Sequence, residues 1–223
     1  MVAAPLTVLV VDDKPLVRNA YHAFFSRQTD ASLVGLAGDG QEAIDLYEAT
    51  TPDVVLMDLQ MPGVSGIEAT REICRRWPGA CVVALTTFAT PEYVIPALEA
   101  GAAGYLLKET SGPALLHALR QAKAGEMPLS SAVRRAVVDR LTASAKQEPP
   151  VPMTVREREV LTWLAHGMSN VEIARRMFLS EGTIKQYMSR IGDKMGMKSR
   201  TQILIFAIRA GLVDPSALPP QAP

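Results

Sequence analysis

Cysteine is nearly missing from the 223 residues: Cys74 and Cys81 are the only two. Such a pair makes neither a metal-ligand cluster nor a disulfide framework, which fits a reduced, cytoplasmic compartment, and both thiols read as buried small hydrophobes. Histidine is scarce as well. His22, His117 and His166 lie far apart with no partner pattern and read as structural or surface residues. No apolar stretch approaches the ~18 residues that a membrane helix requires. The short apolar run near the start meets Asp12 and Asp13 at once, with no basic leader or cleavage site. It therefore reads as a strand and not a signal peptide, and no membrane partner is expected. An excess of charge of one sign is also missing, since 23 Lys and Arg match 23 Asp and Glu. With 48% of its residues apolar, the chain is nonetheless globular and not disordered.

The charge is unevenly distributed. Residues 1–128 hold 9 basic and 15 acidic residues, whereas residues 153–213 hold 10 basic and 5 acidic ones. An acidic half joined to a basic half predicts two domains, the second facing a polyanion. The first half alternates short apolar runs with amphipathic segments, the pattern of an α/β domain with a parallel sheet. Strands are expected at Thr7–Val11, Ser32–Ala37, Val54–Met57, Cys81–Leu85 and Ala103–Leu107, with helices near 15–27, 40–49, 65–76, 91–100 and 112–124. A connector over 127–152 follows, with a helix expected around 131–143 and a stiff "QEPPVP" at its end. The second half reads as all helix. Thr154 with Glu157, Ser169 with Glu172 and Ser199 with Gln202 fit the capping box, and Ser180 supplies a fourth N-cap. Helices near 155–166, 170–177, 181–195 and 200–211 follow, in a domain over 153–214 with a tail at 215–223.

The ends of the expected strands carry Asp12 and Asp13, then Asp58, then Thr86, then Lys108. In an open parallel sheet these ends share one edge, where ligands bind. Three carboxylates gathered there cannot all stay ionised without a cation, and one lysine is too little. A hard divalent ion with oxygen ligands completes the balance, Mg²⁺ best of all. Carboxylate, metal, lysine and hydroxyl are the parts for phosphoryl transfer onto a carboxylate, with Asp58 as nucleophile. A single Asp at a strand end is most often a turn or cap residue, and Tyr105 alone would be core. The ordered set is what outweighs those readings.

The pieces "LVVDDKP", "DVVLMDLQMPGVSG", "VVALTTF" and "GAAGYLLKE" resemble the receiver domain of two-component response regulators over nearly all of residues 5–125. The resemblance implies a flavodoxin-like receiver over 1–126, with a five-stranded parallel sheet in the order 2-1-3-4-5. It also implies Asp58 as phosphoacceptor and Asp12, Asp13, Asp58 and the Gln60 carbonyl around the metal. Thr86 and Tyr105 would be the switch pair, and Lys108 the phosphate partner. Two positions depart from the common pattern: Glu109 stands where many receivers carry proline, and Thr87 where alanine is frequent.

Residues 169–195 place two short helices across "FLSEG", a helix-turn-helix arrangement. On the second, Ile184, Met188, Ile191 and Met195 form an apolar stripe, while Lys185, Gln186, Ser189 and Arg190 lie opposite it. Basic and amide groups at that place suit major-groove readout. Thr183, Lys194 and the amides near Ser169–Asn170 are placed for contacts to phosphate. A basic helix face taken alone is as often just solvated. The stretch 153–213, through "REREVL", "SNVEIA", "SEGTIK" and "KSR", is similar to the LuxR-type helix-turn-helix domain. Tyr187 replaces a common histidine, Asp193 adds a negative charge, and Gly192 inside the recognition helix is expected to cost about 1 kcal/mol against alanine.

Together the two resemblances imply a response regulator of the NarL/FixJ class. It would be a DNA-binding transcription regulator and not an enzyme, phosphorylated by a sensor histidine kinase and pairing as a homodimer on double-stranded DNA. Two other classes share some of these residues. One is a constitutive DNA-binding protein with a silent receiver. The other is an aspartyl-phosphate phosphatase or ATPase, which would want a second Asp two residues beyond Asp58, where Gln60 stands.

Overall fold

The structure, a computed structural model, describes residues 4–87, 90–129, 133 and 151–213. The helix expected around 131–143, the proline-rich end of the connector up to residue 150 and the tail at 215–223 lie outside the described residues. The chain divides into two compact units, Met1–Val133 and Arg134–Pro223.

The first unit is a parallel sheet covered by helices. Its strands are β1 (Leu6–Val11), β2 (Ala31–Ala37), β3 (Val54–Asp58), β4 (Val82–Thr86) and β5 (Gly104–Leu107), in the order β2-β1-β3-β4-β5. Every pairing is parallel. The helices are α1 (Pro15–Phe25), α2 (Gly40–Thr50), α3 (Gly66–Arg76), α4 (Pro91–Glu99) and α5 (Gly112–Lys123). Central strands of such a sheet are buried on both faces, which is why they read as unbroken apolar runs and not as an alternation. The alternation survives in which core each side chain joins. Val8, Val10 and Leu56 pack with Phe25 of α1 and Leu115 and Leu119 of α5. Leu9, Val11, Val55 and Met57 pack with Ala43 and Ile44 of α2 and Ala69 and Ile73 of α3. Each large core side chain is worth about 2–5 kcal/mol against alanine, so these two layers hold the strand ends in a fixed relation.

Local signals set the helix starts. Pro15 occupies the first turn of α1, where its missing N–H costs nothing. Asp39 caps α2 by accepting from the Glu42 N–H at 2.9 Å. Ser65 and Glu68 form a full capping box on α3. Boundaries differ by one or two residues from the sequence-based expectation, as fraying ends do; α1 ends at Phe25 and not at 27.

The second unit is helical: α6 (Val155–Ala165), α7 (Asn170–Met177), α8 (Glu181–Met195) and α9 (Arg200–Arg209). The three expected capping boxes are present, and Ser180 accepts from the Thr183 N–H at 3.1 Å. Ile184, Met188, Ile191 and Met195 are buried, together with Val160, Leu164 and Ile173. Helix α9 stops two residues short of the expected end. Gly211 takes a left-handed φ of 64°, and the Leu212 N–H turns back to the Ala207 carbonyl at 2.9 Å.

Gly192 differs from expectation. A Cβ there would lie 2.5 Å from the Met197 carbonyl oxygen, because the chain turns back onto α8 and the Met197 N–H bonds the Gly192 carbonyl at 2.8 Å. The glycine is required by that close approach, and the cost assigned from helix propensity is overridden.

Candidate functional site

The carboxyl ends of β1, β3, β4 and β5 bring the first site together. Asp12 is fully buried and Asp58 nearly so, with 3% of its surface exposed. The Lys14 N–H holds one Asp12 carboxylate oxygen at 3.0 Å, and the Gln60 N–H holds Asp58 Oδ1 at 3.2 Å. Lys108, one residue past β5, reaches back across the edge. Its Nζ lies 2.6 Å from Asp12 Oδ2 and 2.6 Å from Asp58 Oδ2. The Lys108 N–H also donates to the Thr86 carbonyl at 2.8 Å, which ties the end of β5 to the end of β4.

Electrostatics follow from that burial. Desolvation raises the Asp58 carboxyl above its ordinary pKa, opposed by the hydrogen bonds from Lys108 and from the Gln60 N–H. For Lys108, burial works to lower the ammonium's pKa, but the bonds to Asp12 and Asp58 outweigh it and the net shift is upward. The lysine therefore stays charged between two carboxylates.

Ligand atoms of Asp12, Asp13 and Asp58 lie within 4.8 Å of one another. One ammonium faces three carboxylates, and Asp13 Oδ1 is buried with no hydrogen-bond partner. An unsatisfied buried carboxylate oxygen beside two others is a donor set for a hard divalent cation, so the residues fit Mg²⁺. Gln60 enters the site through its backbone, its N–H being the group in contact with Asp58.

Thr86 and Tyr105 are each 1% exposed, and their side chains are hydrogen-bonded to each other. Burial pushes the Tyr105 phenol up to about 12, with the Thr86 bond acting the other way. The Tyr105 phenol thus stays protonated at any ordinary pH.

Gly66, the last residue of "DVVLMDLQMPGVSG", packs against this site. A Cβ on Gly66 would stand 1.8 Å from the Asp58 carbonyl oxygen, so the start of α3 is seated directly against the backbone of Asp58. The signal in the sequence was Ser65 with Glu68, a capping box that starts α3 at Gly66.

The second candidate surface lies on α8. Lys185, Gln186, Ser189 and Arg190 are all exposed on the side away from the buried stripe. Lys185 pairs with Glu181 at 2.7 Å, a solvated contact of small energy that a stronger anion can displace. Thr183 Oγ1 sits 2.9 Å from the Ser180 hydroxyl, within the cap of the helix. Ser169 caps α7, its hydroxyl bonded to Glu172 at 2.8 Å.

Of the residues expected to contact phosphate, Lys194 is engaged inside the unit by its ammonium, and Asn170 by its side chain but not its amide. Lys194 Nζ lies 2.7 Å from the buried Glu157 carboxylate and 3.3 Å from the Pro152 carbonyl. Asn170 is 6% exposed, and its side-chain oxygen accepts from Arg200 Nη1 at 2.6 Å, while Nη2 of the same arginine bonds the Met168 carbonyl. In both cases a buried polar partner, not solvent, decides where the side chain goes.

Comparison with known proteins matches both units. Residues 8–120 match the response regulator receiver domain, and residues 151–207 match the luxR family of bacterial regulatory proteins. The transcriptional regulatory protein YxjL of Bacillus subtilis is 43% identical over 214 residues, covering 94% of this chain and 98% of that protein. The transcriptional regulatory protein LiaR of the same organism is 39% identical, covering 94% and 100%. Among solved structures, the response regulator ChrA of a heme-sensing two-component system is 33% identical. It covers 94% of this chain and 100% of its own at a TM-score of 0.53.

Proposed function

Because the chain belongs to the two-component response regulators with a LuxR-type DNA-binding domain, we propose that Asp58 is the phosphoacceptor through which a sensor histidine kinase controls its dimerisation and DNA binding. The observation that supports this is Asp58 at the sheet edge, 2.6 Å from Lys108 and grouped with Asp12 and Asp13.

Asp58 acts as the nucleophile. A carboxylate oxygen attacks the phosphorus of the donor, the P–O bond forms as the P–N bond to the kinase histidine breaks, and the departing imidazole takes up a proton. Gln60 orients Asp58 through its N–H. Lys108 stays in place and balances charge on the phosphoryl oxygens. Thr86 presents a hydroxyl to the same group, and Tyr105 follows Thr86 through their hydrogen bond. Mg²⁺, held by Asp12, Asp13, Asp58 and the Gln60 carbonyl, would supply charge neutralisation at the phosphoryl oxygens.

The phosphorylated receiver forms a symmetric dimer through either the α4–β5–α5 surface or α1 with α5. Two recognition helices then meet double-stranded DNA about one turn apart. Lys185, Gln186 and Ser189 read base edges, and Arg190, Thr183 and Ser169 meet phosphates. Lys194 is left out of that contact set, since its ammonium serves Glu157, while Asn170 contributes its backbone amide at the start of α7. The setting is the cytoplasm, where kinase and DNA are both at hand. No helix among the described residues is long and apolar enough to cross a membrane.

The test is to incubate wild type and Asp58→Asn with acetyl phosphate and Mg²⁺, then measure mass, oligomeric state and DNA affinity. Wild type is expected to gain one phosphoryl group, dimerise and bind DNA more tightly. Equal gain by the variant would sink the assignment of Asp58. Gain without any change in association or DNA affinity would mark the receiver as silent.

A further inference from the structure

The outer edge of β5 is one of the two open edges of the sheet, yet it is not bare. After α5 the chain returns along it. The Tyr105 N–H donates to the Pro128 carbonyl at 3.0 Å, and Tyr105 pairs with Leu129 in a parallel bridge. Met127, Pro128 and Val133 are buried, and all three belong to the first compact unit. The approach is close enough that a Cβ on Gly104 would lie 2.5 Å from Pro128 Cγ. An exposed strand edge invites pairing with another chain, and here the first residues of the connector cover it.

The residue that holds this segment by its backbone is also bonded by its side chain to Thr86. We propose that Met127–Leu129 is a strap occupying the outer edge of β5 in cis, and that the Thr86–Tyr105 pair holds it there more firmly once Asp58 is phosphorylated. The proposal rests on the reading of Asp58, Thr86 and Tyr105 given above.

The direction follows from hydrogen-bond inventory. The Thr86 hydroxyl has one hydrogen and two lone pairs. It donates to the phosphoryl group while accepting from the Tyr105 hydroxyl. Chained bonds polarise one another, so the Tyr105 ring is held inward more firmly, and its N–H stays aimed at Pro128. Linkage works both ways: whatever stabilises the inward ring stabilises the strap. Two consequences follow. The first residues of the connector stay with the receiver, so the connector's free length is set by the switch. The centre of the α4–β5–α5 surface is filled by the chain itself, which leaves α1 and α5 for a second copy.

Hydrogen exchange of the full-length protein tests this, read at the amide of Tyr105, which donates to the Pro128 carbonyl, with mass measured on the same samples. On incubation with Mg²⁺ and acetyl phosphate, wild type is expected to slow at this amide by roughly fivefold, the equivalent of one hydrogen bond. Tyr105→Phe, which keeps the ring and loses the hydroxyl, should gain the same mass without that slowing. Gly104→Ala, whose methyl would push Pro128 away, should exchange faster at the Tyr105 amide even without phosphorylation; if it fails to fold, Tyr105→Phe decides alone. Unchanged or faster exchange in a wild-type sample that has gained the phosphoryl mass would overturn the proposal. A wild type that gains no mass would instead overturn the phosphoacceptor reading. The strap is then judged without phosphate, where equal exchange in wild type and Tyr105→Phe would refute it.

Discussion

At Lys108 the central balance of the receiver site rests on a single side chain. Its ammonium lies 2.6 Å from carboxylate oxygens of both Asp12 and Asp58, and it is the cation that the structure sets against three grouped carboxylates. Replacing it with methionine keeps the length and removes the charge. Lys108→Met is expected to slow phosphorylation of Asp58 by acetyl phosphate on the order of 10²-fold, the usual cost of losing one preorganised donor. A time course of mass gain reads this directly, and an unchanged rate would show that Lys108 only fills space. The identities of these groups and their places at strand ends were legible in the sequence. That Asp13 Oδ1 would be left without a partner was not. Satisfaction of an atom depends on everything around it, and its neighbours come from several strands.

Among the elements, α8 shows how tertiary contact overrides propensity. Helix scales favour alanine over glycine by about 1 kcal/mol, so Gly192→Ala should stabilise an isolated helix. In the folded unit that methyl would lie 2.5 Å from the Met197 carbonyl, and backbone cannot swing aside as a side chain can. The expected outcome is a loss of about 1–3 kcal/mol, measured as a lower urea midpoint. A gain would mean that the turn after α8 yields. The stripe of Ile184, Met188, Ile191 and Met195 was readable because a 3.6-residue period is local, and the caps were readable for the same reason. The inward turn of Lys194 was not, because Glu157 stands 37 positions away in sequence.

That ion pair carries a pH signature. Burial works to raise the Glu157 carboxyl, but the Lys194 bond and the Thr154 cap hold it below its ordinary value of 4.5. A depressed folded value means the stabilisation is fully present above the ordinary value and is lost as pH falls through the folded one. Urea unfolding of wild type is therefore expected to weaken from about pH 5 downward more steeply than that of Glu157→Gln. Parallel curves would show that the pair adds nothing.

For the whole molecule, the division of charge matters more than its sum. The chain is neutral, yet residues 153–213 carry twice as many basic as acidic residues. Binding through that half releases counterions, so DNA affinity should fall steeply with salt. Arg190→Ala is expected to lower the salt slope by about one unit, the mark of one phosphate contact removed. Lys194→Ala should leave the slope unchanged, since that ammonium is engaged with Glu157. Binding isotherms over a series of salt concentrations distinguish the two. Equal slopes for both variants would return Lys194 to the DNA interface.

What the sequence alone determined was set by neighbours along the chain: the unbroken apolar strands, the capping boxes, the order of polar groups at the strand ends and the exposed polar face of α8. Each depends on residue type and a spacing of a few positions. The tertiary structure decided what depends on approach between distant segments. Gly66 meets the Asp58 carbonyl, Gly192 meets Met197, Lys194 turns inward to Glu157, and the chain beyond α5 lies on Tyr105. Those contacts exist only once two cores have packed, because it is packing that brings groups far apart in sequence within bonding distance.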